Sequence, residues 1–364
     1  AEHQRLTRKL DRLRGNPSSH IFQSLERKYQ ALAKRLAKLS LLLSWMQARL
    51  KLGTAAALTS GALLFGNPAQ GQIEFAAPQL NPFGLVSVGG YSKPTFADMD
   101  GDGDLDIYAG AYINYTSPAT LSYFENIGTP TSPAFAAPQN ESFGPGGGYF
   151  YAAPALVDID GDGDLDKFAF TAYGQVYYFE NTGSGTMPAF APYTTAPFGI
   201  GTTADDAVPA FVDLDGDGDQ DLLLGVIASF NATFHYYENT GSSNSPAFAA
   251  PATNPFSISG VPGYAGPPAP AFADFDIDGD WDLMYGERYG GFYYEENVGS
   301  AASPAFGNAT FNPFSLSSIG TQLSTPALAD LDGDGSIDLL SGRIDGSFSF
   351  YKGTSIGTLS LIHI

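Results

Sequence analysis

One nine-residue acidic loop occurs five times in this chain of 364 residues, and its regular spacing is the strongest constraint on the fold. In chain order, loop 1 is DMDGDGDLD (98–106), loop 2 is DIDGDGDLD (158–166), loop 3 is DLDGDGDQD (213–221), loop 4 is DFDIDGDWD (274–282) and loop 5 is DLDGDGSID (330–338). Their first residues lie 60, 55, 61 and 56 residues apart. A period of this size predicts a repeat architecture, in which each unit buries its apolar face only against its neighbours.

The loops have the chemistry of a site for a hard cation. Ca²⁺ takes about six to eight oxygen ligands, and carboxylates at loop positions 1, 3 and 5 with a main-chain carbonyl at position 7 can surround it. In loop 2, Asp158, Asp160 and Asp162 would provide side-chain oxygens, Asp164 its carbonyl and Asp166, at position 9, a closing carboxylate. Position 6 is glycine in every copy, which predicts a sharp turn with positive φ.

The sequence therefore predicts about five calcium ions, one per loop. The predicted metal ligands are Asp98, Asp100, Asp102, Asp104 and Asp106 in loop 1; Asp158, Asp160, Asp162, Asp164 and Asp166 in loop 2; Asp213, Asp215, Asp217, Asp219 and Asp221 in loop 3; Asp274, Asp276, Asp278, Asp280 and Asp282 in loop 4; and Asp330, Asp332, Asp334, Ser336 and Asp338 in loop 5.

Two departures from the pattern are compatible with this prediction. Ser336 replaces aspartate at position 7 of loop 5, which does little harm if only the backbone carbonyl binds there, and Ile277 occupies position 4 of loop 4. An EF-hand is excluded, because it needs a glutamate at position 12 and flanking helices. The alternative is five acidic surface turns without metal, which would leave the repulsion among their carboxylates uncompensated.

Short β-rich segments flank each loop. An apolar segment such as PALVD (154–158) ends at the first aspartate, and a second such as DLLLG (221–225) follows. A third is aromatic and ends in a Glu-Asn pair, as in VYYFENTG (176–183), and a fourth reads PAFAAP (133–138) or similar. Four such segments per period, separated by Gly, Pro, Asn and Ser, are typical of propeller blades. The pairs at Glu125, Glu180, Glu238 and Glu296 recur in four blades, which indicates a turn-forming role.

The loop with its flanking strands resembles the FG-GAP and VCBS-type calcium-binding propeller repeats of integrin α-chains and many secreted bacterial proteins. The resemblance covers about residues 72–352. It implies that each loop joins the first two strands of a blade and that calcium stiffens one face of the propeller. It does not indicate a ligand.

The predicted fold is all-β, a propeller of five four-stranded blades. The segment IEFAAPQLNPF (73–83) copies the outer-strand passage PAFAAPQNESF (133–143) but precedes any loop, and the last loop lacks such a passage after it. We therefore expect the N-terminal strand to pair with the final blade and close the ring, which leaves no long exposed edge.

The N-terminal region has a different composition. Of the 17 Lys and Arg residues, 12 lie in residues 1–51, which we interpret as a basic helical leader with an amphipathic or coiled-coil stripe, packed on a neighbour or lying on anionic lipid. Residues 52–71 are predicted to be an apolar export signal cleaved near Gly71, or else a retained anchor. Only through a retained leader do we expect membrane contact.

The remainder, residues 53–364, carries a formal charge of −30, which argues against nucleic-acid binding. The chain has no cysteine, so an exported domain would depend on core packing and metal rather than disulfides. Residues 72–358 are assigned to the propeller. Residues 359–364 read LSLIHI, which matches the translated end of a common transposase sequencing adapter, and we expect them not to be biological.

Catalytic motifs are lacking in the sequence. His235 falls where other repeats have Val176 or Ser122, which favours a strand residue over a base. Blade-specific insertions at 144–151, 202–206 and 260–270 are better candidates for ligand binding, with Tyr149, Phe150, Tyr151 and Tyr264 able to stack on sugar rings.

The predicted function is that of a secreted or cell-surface, non-enzymatic calcium-binding module for adhesion or ligand binding. Its partner would be an extracellular protein or a glycan. The alternatives are a carbohydrate-binding lectin and the non-catalytic part of a larger extracellular hydrolase or lyase.

Overall fold

The structure is a computed structural model that describes residues 73–112, 119–143, 152–201, 203, 206–228, 231–261, 266–320 and 323–354. The chain divides into two compact units, Ala1–Pro68 and Ala69–Ile364, and all described residues belong to the second. The predicted leader, the export segment and residues 359–364 lie outside the described residues, so these assignments stay predictions. No helix among the described residues is long and apolar enough to cross a membrane.

The described chain forms five antiparallel sheets of four strands each. In four of them the strands follow chain order: blade 1 has β2 (Gly90–Ala97), β3 (Asp106–Tyr112), β4 (Ala119–Phe124) and β5 (Gln139–Phe143); blade 2 has β6 (Ala152–Val157), β7 (Asp166–Thr171), β8 (Val176–Phe179) and β9 (Thr194–Thr195); blade 3 has β10 (Val208–Val212), β11 (Asp221–Ala228), β12 (Asn231–Tyr237) and β13 (Ala252–Thr253); blade 4 has β14 (Ala269–Ala273), β15 (Asp282–Gly286), β16 (Phe292–Glu295) and β17 (Thr310–Phe311).

Blade 5 joins the two ends of the described chain. Its first three strands, counted from the centre of the ring, are β18 (Thr325–Ala329), β19 (Asp338–Gly342) and β20 (Phe348–Tyr351), and its outermost strand is β1 (Gln79–Leu80). β1 pairs with β20 in antiparallel register, with Gln79 opposite Phe350. The prediction that an N-terminal strand completes the final blade is confirmed.

The inner strand of every blade carries a proline, namely Pro94, Pro154, Pro209, Pro270 and Pro326. Each of these strands has only one partner strand, because its other edge faces the centre of the ring. A proline there removes no ladder hydrogen bond, which is why β-sheets tolerate proline at such edges. The inner strands contact one another around the whole ring, so the five blades form a closed propeller.

Apolar side chains fill the spaces between blades. Each of the five hydrophobic clusters combines residues of two neighbouring blades, as where Phe168 of blade 2 packs with Phe211 of blade 3 at 4.8 Å between ring centroids. A single blade therefore has no complete core of its own, as expected for a repeat fold.

The position of the fourth strand was predicted wrongly. The PAFAAP segments contribute only isolated bridges, such as Asn126 to Phe135 and Asn181 to Phe190, and the fourth strand begins several residues later. In blades 2, 3, 4 and 5 that strand has two residues, and Pro-Phe follows one residue later. In three of these segments an asparagine precedes the proline with positive φ, at Asn81, Asn254 and Asn312, a conformation that asparagine adopts more readily than most residues.

Strand direction divides the connections between two faces of the ring. Because neighbouring strands of a blade are antiparallel, the acidic loops and the turns between third and fourth strands lie on one face, which we call the loop face. The turns between second and third strands and the links between blades lie on the opposite face.

Glycines at the end of the second strand set the spacing between blades. A Cβ atom at Gly225 would lie 1.6 Å from the carbonyl oxygen of Pro268, at the start of blade 4. Gly110, Gly286 and Gly342 face the next blade in the same way, with distances of 1.8 to 2.2 Å to a backbone carbonyl oxygen. Blade 2 has Phe170 at the aligned position, buried in the core shared with blade 3.

We predict that Gly225→Ala destabilises the fold by at least about 2 kcal/mol, because overpacking against backbone forces neighbouring blades apart. Gly201→Ala is the matched control, since no atom lies within 4 Å of a Cβ placed there. Chemical denaturation of both variants measures the difference. Equal midpoints for Gly225→Ala and the unmodified protein would contradict the close approach.

Candidate metal centre

Every acidic loop connects the first and second strands of its blade, as the resemblance implied. Backbone N–H groups of the loop donate to its own carboxylates. In loop 1, Gly101 and Gly103 donate to the two oxygens of Asp98 at 2.7 and 3.2 Å, Asp102 donates to Asp100 at 3.2 Å, and Asp104 donates to Asp102 at 3.1 Å. These bonds turn the side chains at positions 1, 3 and 5 towards the inside of the loop.

The glycine at position 6 has positive φ in all five loops, as predicted. The values are 97° for Gly103, Gly163 and Gly218, 98° for Gly279 and 87° for Gly335. No neighbouring atom lies within 4 Å of a Cβ placed at any of these positions. Glycine is therefore required here for its backbone conformation and not for space.

Carboxylates converge in each loop. In loops 1, 2 and 3 the oxygens of positions 1, 3 and 5 lie within 4.8 Å of one another. In loops 4 and 5 the converging groups are those of positions 1, 3 and 9. The structure thus brings together three of the predicted side-chain ligands in every loop.

The aspartate at position 9 has a structural role that the sequence did not reveal. It is at most 2% exposed in all five blades. In loop 1, one oxygen of Asp106 accepts the backbone N–H of Met99 at 3.1 Å, and the other accepts that of Asn126 at 2.7 Å. The same carboxylate accepts the hydroxyl of Tyr123 at 2.9 Å.

The tyrosine donor recurs in blades 2, 3 and 4. Tyr178 and Tyr236 donate to Asp166 and Asp221 at 3.1 and 2.8 Å, and Tyr294 bonds Asp282 in blade 4. The sequence signal was the repeated Tyr-x-Glu-Asn at the end of the third strand. Blade 5 has Phe350 and Gly353 at the tyrosine and asparagine positions.

The asparagine of each Glu-Asn pair forms the turn, as predicted. In blade 2, the side-chain oxygen of Asn181 accepts the N–H groups of Gly183 and Ala189 at 3.1 and 2.9 Å. Asn126, Asn239 and Asn297 make the equivalent bonds.

Several buried carboxylate oxygens in the loops have no hydrogen-bond partner. They are Oδ1 of Asp104, Asp158, Asp219, Asp280 and Asp332. A buried acceptor without a donor is costly, so an oxygen of this kind fits a cation better than an empty space. Three of the five are at position 7, where only the backbone carbonyl had been expected to bind. The carboxylate set and its partnerless oxygens fit a hard, oxygen-seeking cation such as Ca²⁺.

Burial and mutual repulsion oppose ionisation of these carboxylates. Burial raises the pKa of Asp106 to about 6, and that of Asp166, Asp221, Asp282 and Asp338 to about 7, although backbone hydrogen bonds act in the opposite direction. At position 7, burial and then the charge at position 5 raise the pKa of Asp104, Asp219 and Asp280 to about 6. A bound cation would reverse this balance.

Neighbouring blades meet at position 4 of the loops. A Cβ at Gly101, Gly161, Gly216 or Gly333 would lie 2.5 to 3.0 Å from an atom in the turn between third and fourth strands of the next blade. Asn244 in one such turn donates to the carbonyl oxygen of Asp160 in loop 2 at 3.2 Å. Ile277 takes position 4 in loop 4, has a φ of 65° and is 40% exposed.

Loop 5 has a cationic partner that the sequence reading missed. The ammonium of Lys352 bonds Asp332 at position 3 and lies 3.0 Å from an oxygen of Asp334 at position 5. These bonds raise the pKa of Lys352. Burial raises the pKa of Asp334, but the bonds from Lys352 and Ser336 together leave it below its ordinary value.

The predicted ligand-binding residues are mostly outside the described part of the chain. Tyr149, Phe150, Tyr151 and Tyr264 all lie there. His235 lies in β12 opposite Leu224, so the strand assignment is confirmed. Its aligned residues are Ser122 and Tyr177, however, and the alignment with Val176 was wrong by one residue. The inner strands enclose a central cavity of about 300 Å³ that includes Lys93 and Trp281.

The fold and the loops define a class: a five-bladed β-propeller with an acidic loop between the first two strands of each blade. A family model for an FG-GAP-like repeat matches residues 158–224, from the first aspartate of loop 2 into the second strand of blade 3. The protein therefore contains an FG-GAP-like repeat at residues 158–224, within a described chain that forms a five-bladed β-propeller.

A search of curated protein sequences found no match. Similar solved structures include a Photorhabdus luminescens Tc holotoxin pore, with 15% identity over 78% of this chain and 14% of that chain, and a TM-score of 0.37. An Agrocybe aegerita lectin that recognises non-reducing terminal N-acetylglucosamine is 20% identical over 74% of this chain and 66% of its own, with a TM-score of 0.37. BBS1N in complex with ARL6DN is 11% identical over 79% of this chain and 99% of its own, with a TM-score of 0.37.

The raised pKa values predict how calcium-free protein responds to pH. Because the folded-state pKa of Asp166, Asp221, Asp282 and Asp338 is about 7, the folded state binds more protons than the unfolded state between about pH 4 and pH 7. Stability is therefore lost as pH rises through this interval. We expect the melting midpoint in chelator to be higher at about pH 5 than at about pH 7.5.

Calcium-saturated protein is the control, and it should show the opposite order, because Ca²⁺ competes with protons for the same carboxylates. A chelated protein that melts at a higher temperature at the higher pH would show that these aspartates ionise freely without metal.

Proposed function

We propose that this protein is a calcium-binding propeller that acts outside the cell as a non-enzymatic module for adhesion or ligand binding. The observation that carries the proposal is the convergence of three carboxylates within 4.8 Å in every loop, with buried oxygens that lack a donor. Positions 1, 3, 5, 7 and 9 are the proposed ligand set, and calcium supplies the positive charge that these residues lack.

The same chemistry supports the proposed extracellular location. Loop sites of this type bind with dissociation constants that range up to about 10⁻³ M in extracellular modules, so free calcium outside the cell is sufficient to fill them. A chain without cysteine gains no disulfides on export, and metal binding takes over that stabilising role. The apolar segment at 52–71 is the proposed export signal.

The opposite face is the proposed ligand-binding surface. The loop face is occupied by acidic loops and by the turns that pack on them. On the opposite face, Tyr173 and Tyr289 lie in turns between second and third strands and are 48% and 60% exposed. Exposed aromatic rings of this kind bind protein side chains or stack on sugars.

The ligand is therefore proposed to be an extracellular protein or a glycan. A lectin function predicts binding to a glycan array that disappears when calcium is removed. A role as the binding part of a larger extracellular hydrolase or lyase predicts the same surface beside a catalytic domain.

The test of calcium binding is thermal melting with and without chelator, combined with metal counting on the whole chain. Four or five sites, each filled at roughly a hundred times its dissociation constant, together add on the order of 10 kcal/mol. We expect the midpoint to rise by more than about 10 °C with calcium. Fewer than three ions per chain, or a midpoint unchanged by chelation, would refute the proposal.

A further inference from the structure

Lysine 352 occupies a position that is glutamate in the other four blades. In blade 5, Tyr351 pairs with Leu339, the residue after the last aspartate of the loop, and Lys352 follows it. In blade 2, Phe179 makes the equivalent pair with Lys167, and Glu180 follows it. Glu125, Glu238 and Glu296 take the same place in blades 1, 3 and 4. The charge next to the acidic loop is thus reversed in blade 5 alone among the five.

The reversal puts an ammonium group among the proposed metal ligands. Lys352 bonds Asp332 and contacts Asp334, the residues at positions 3 and 5 of loop 5. The Asp332 side chain is 17% exposed, so part of this ion pair is shielded from water. A partly shielded charge pair is stronger than one in bulk water, and a metal ion at loop 5 must displace it.

Loop 5 also has fewer carboxylates. In loops 1, 3 and 4 a position-7 aspartate contributes a buried oxygen without a partner, namely in Asp104, Asp219 and Asp280. Loop 5 has Ser336 at this position. With the residue at the 352 position included, loops 1 to 4 each carry a formal charge of −6, from five aspartates and one glutamate, while loop 5 carries −3, from four aspartates and one lysine.

We infer that Lys352 is the resident counter-ion of loop 5, and that loop 5 binds calcium at least ten-fold more weakly than loops 1 to 4. The protein would then have four strong calcium sites and one loop that is ordered by its own side chain. This inference rests on the proposed calcium-binding function.

The position of Lys352 in blade 5 connects its charge with closure of the ring. Blade 5 is the blade that β1 completes, so its geometry decides whether the ring is closed. The adjoining end of β20 is tied to the loop, since Gly353 donates to Asp338 at 2.8 Å. With part of its charge balanced by Lys352, loop 5 helps to keep the closing blade folded when calcium is absent, while loops 1 to 4 loosen.

The first experiment is a charge exchange between two equivalent positions, read by equilibrium metal counting while free calcium is raised from about 10 µM to about 10 mM, a range that includes the affinities of extracellular sites. The unmodified chain should bind four ions tightly, Lys352→Glu should bind five, and Glu180→Lys should bind three. Each substitution installs a residue that another blade already carries at the same register position, so both variants are expected to fold, and circular dichroism checks this.

Five ions of equal affinity in the unmodified chain would overturn the inference, and so would a Lys352→Glu variant that gains no site. A complete absence of bound calcium in all three proteins would instead refute the proposed function.

The second experiment tests the counter-ion role without any metal. In chelator, hydrogen exchange should be slower at Gly335, whose N–H donates to Asp330 at 2.9 Å, than at Gly163, which donates to Asp158 at 3.1 Å. Lys352→Gln should remove that difference, because glutamine has no charge to offset the aspartates. Equal exchange at the two glycines in the unmodified chain would contradict the inference whatever the calcium count.

Discussion

Each blade of this propeller depends on one buried carboxylate, the aspartate at position 9 of its acidic loop. In blades 1, 3, 4 and 5 that side chain accepts one backbone N–H from position 2 of the loop. In all five blades it accepts another from the residue just beyond the third strand, so it joins the second strand to the third. Hydrogen bonds to a charged acceptor are stronger than neutral ones, and removal of the carboxylate would leave buried donors without partners. Because these bonds hold the loop in place, the remaining carboxylates lie close together. Their mutual repulsion destabilises the folded protein.

The departures from the repeat are concentrated where the ring closes. Ile277 replaces the glycine that packs on the following blade in loops 1, 2, 3 and 5, and the blade that follows loop 4 is the one whose outer strand comes from the N-terminal side of the chain. In that same blade, Lys352, Gly353 and Phe350 replace the glutamate, asparagine and tyrosine of the other four. These substitutions have a common physical reason. In blade 5 the fourth strand is β1, so the turn from third to fourth strand that the glutamate, asparagine and tyrosine support in the other blades is not formed there.

The sequence predicted the blade number, the loop positions and the closing strand, because a 55- to 61-residue period and a displaced copy of the outer passage depend only on repetition. It failed where the information is not periodic or not local. The fourth strands have two residues in four blades, too short to show alternation, and the PAFAAP motif forms only a bridge. The hydrogen bonds of Tyr123, Tyr178 and Tyr236 could not be predicted, because the acceptor of each hydroxyl lies 12 to 17 residues away on another strand. The contact of Lys352 with loop 5 required the register of β20, which no single segment encodes.

In the proposed scheme, a metal ion in loops 1 to 4 and Lys352 in loop 5 both offset the repulsion among loop carboxylates, but with different consequences. A calcium ion neutralises two charges and can leave, so a loop that uses it is ordered only when the surroundings supply calcium. An ammonium on the chain neutralises one charge and cannot dissociate from the protein, so that part of the balance does not depend on the surrounding calcium. Ring closure joins β1 and β20 from opposite ends of the described chain, and the entropy lost in that closure is returned only once the full ring of packed blades has formed. If Lys352 balances loop 5, as inferred above, the closing blade depends less on calcium than the four blades whose loops and adjoining glutamates carry only negative charge.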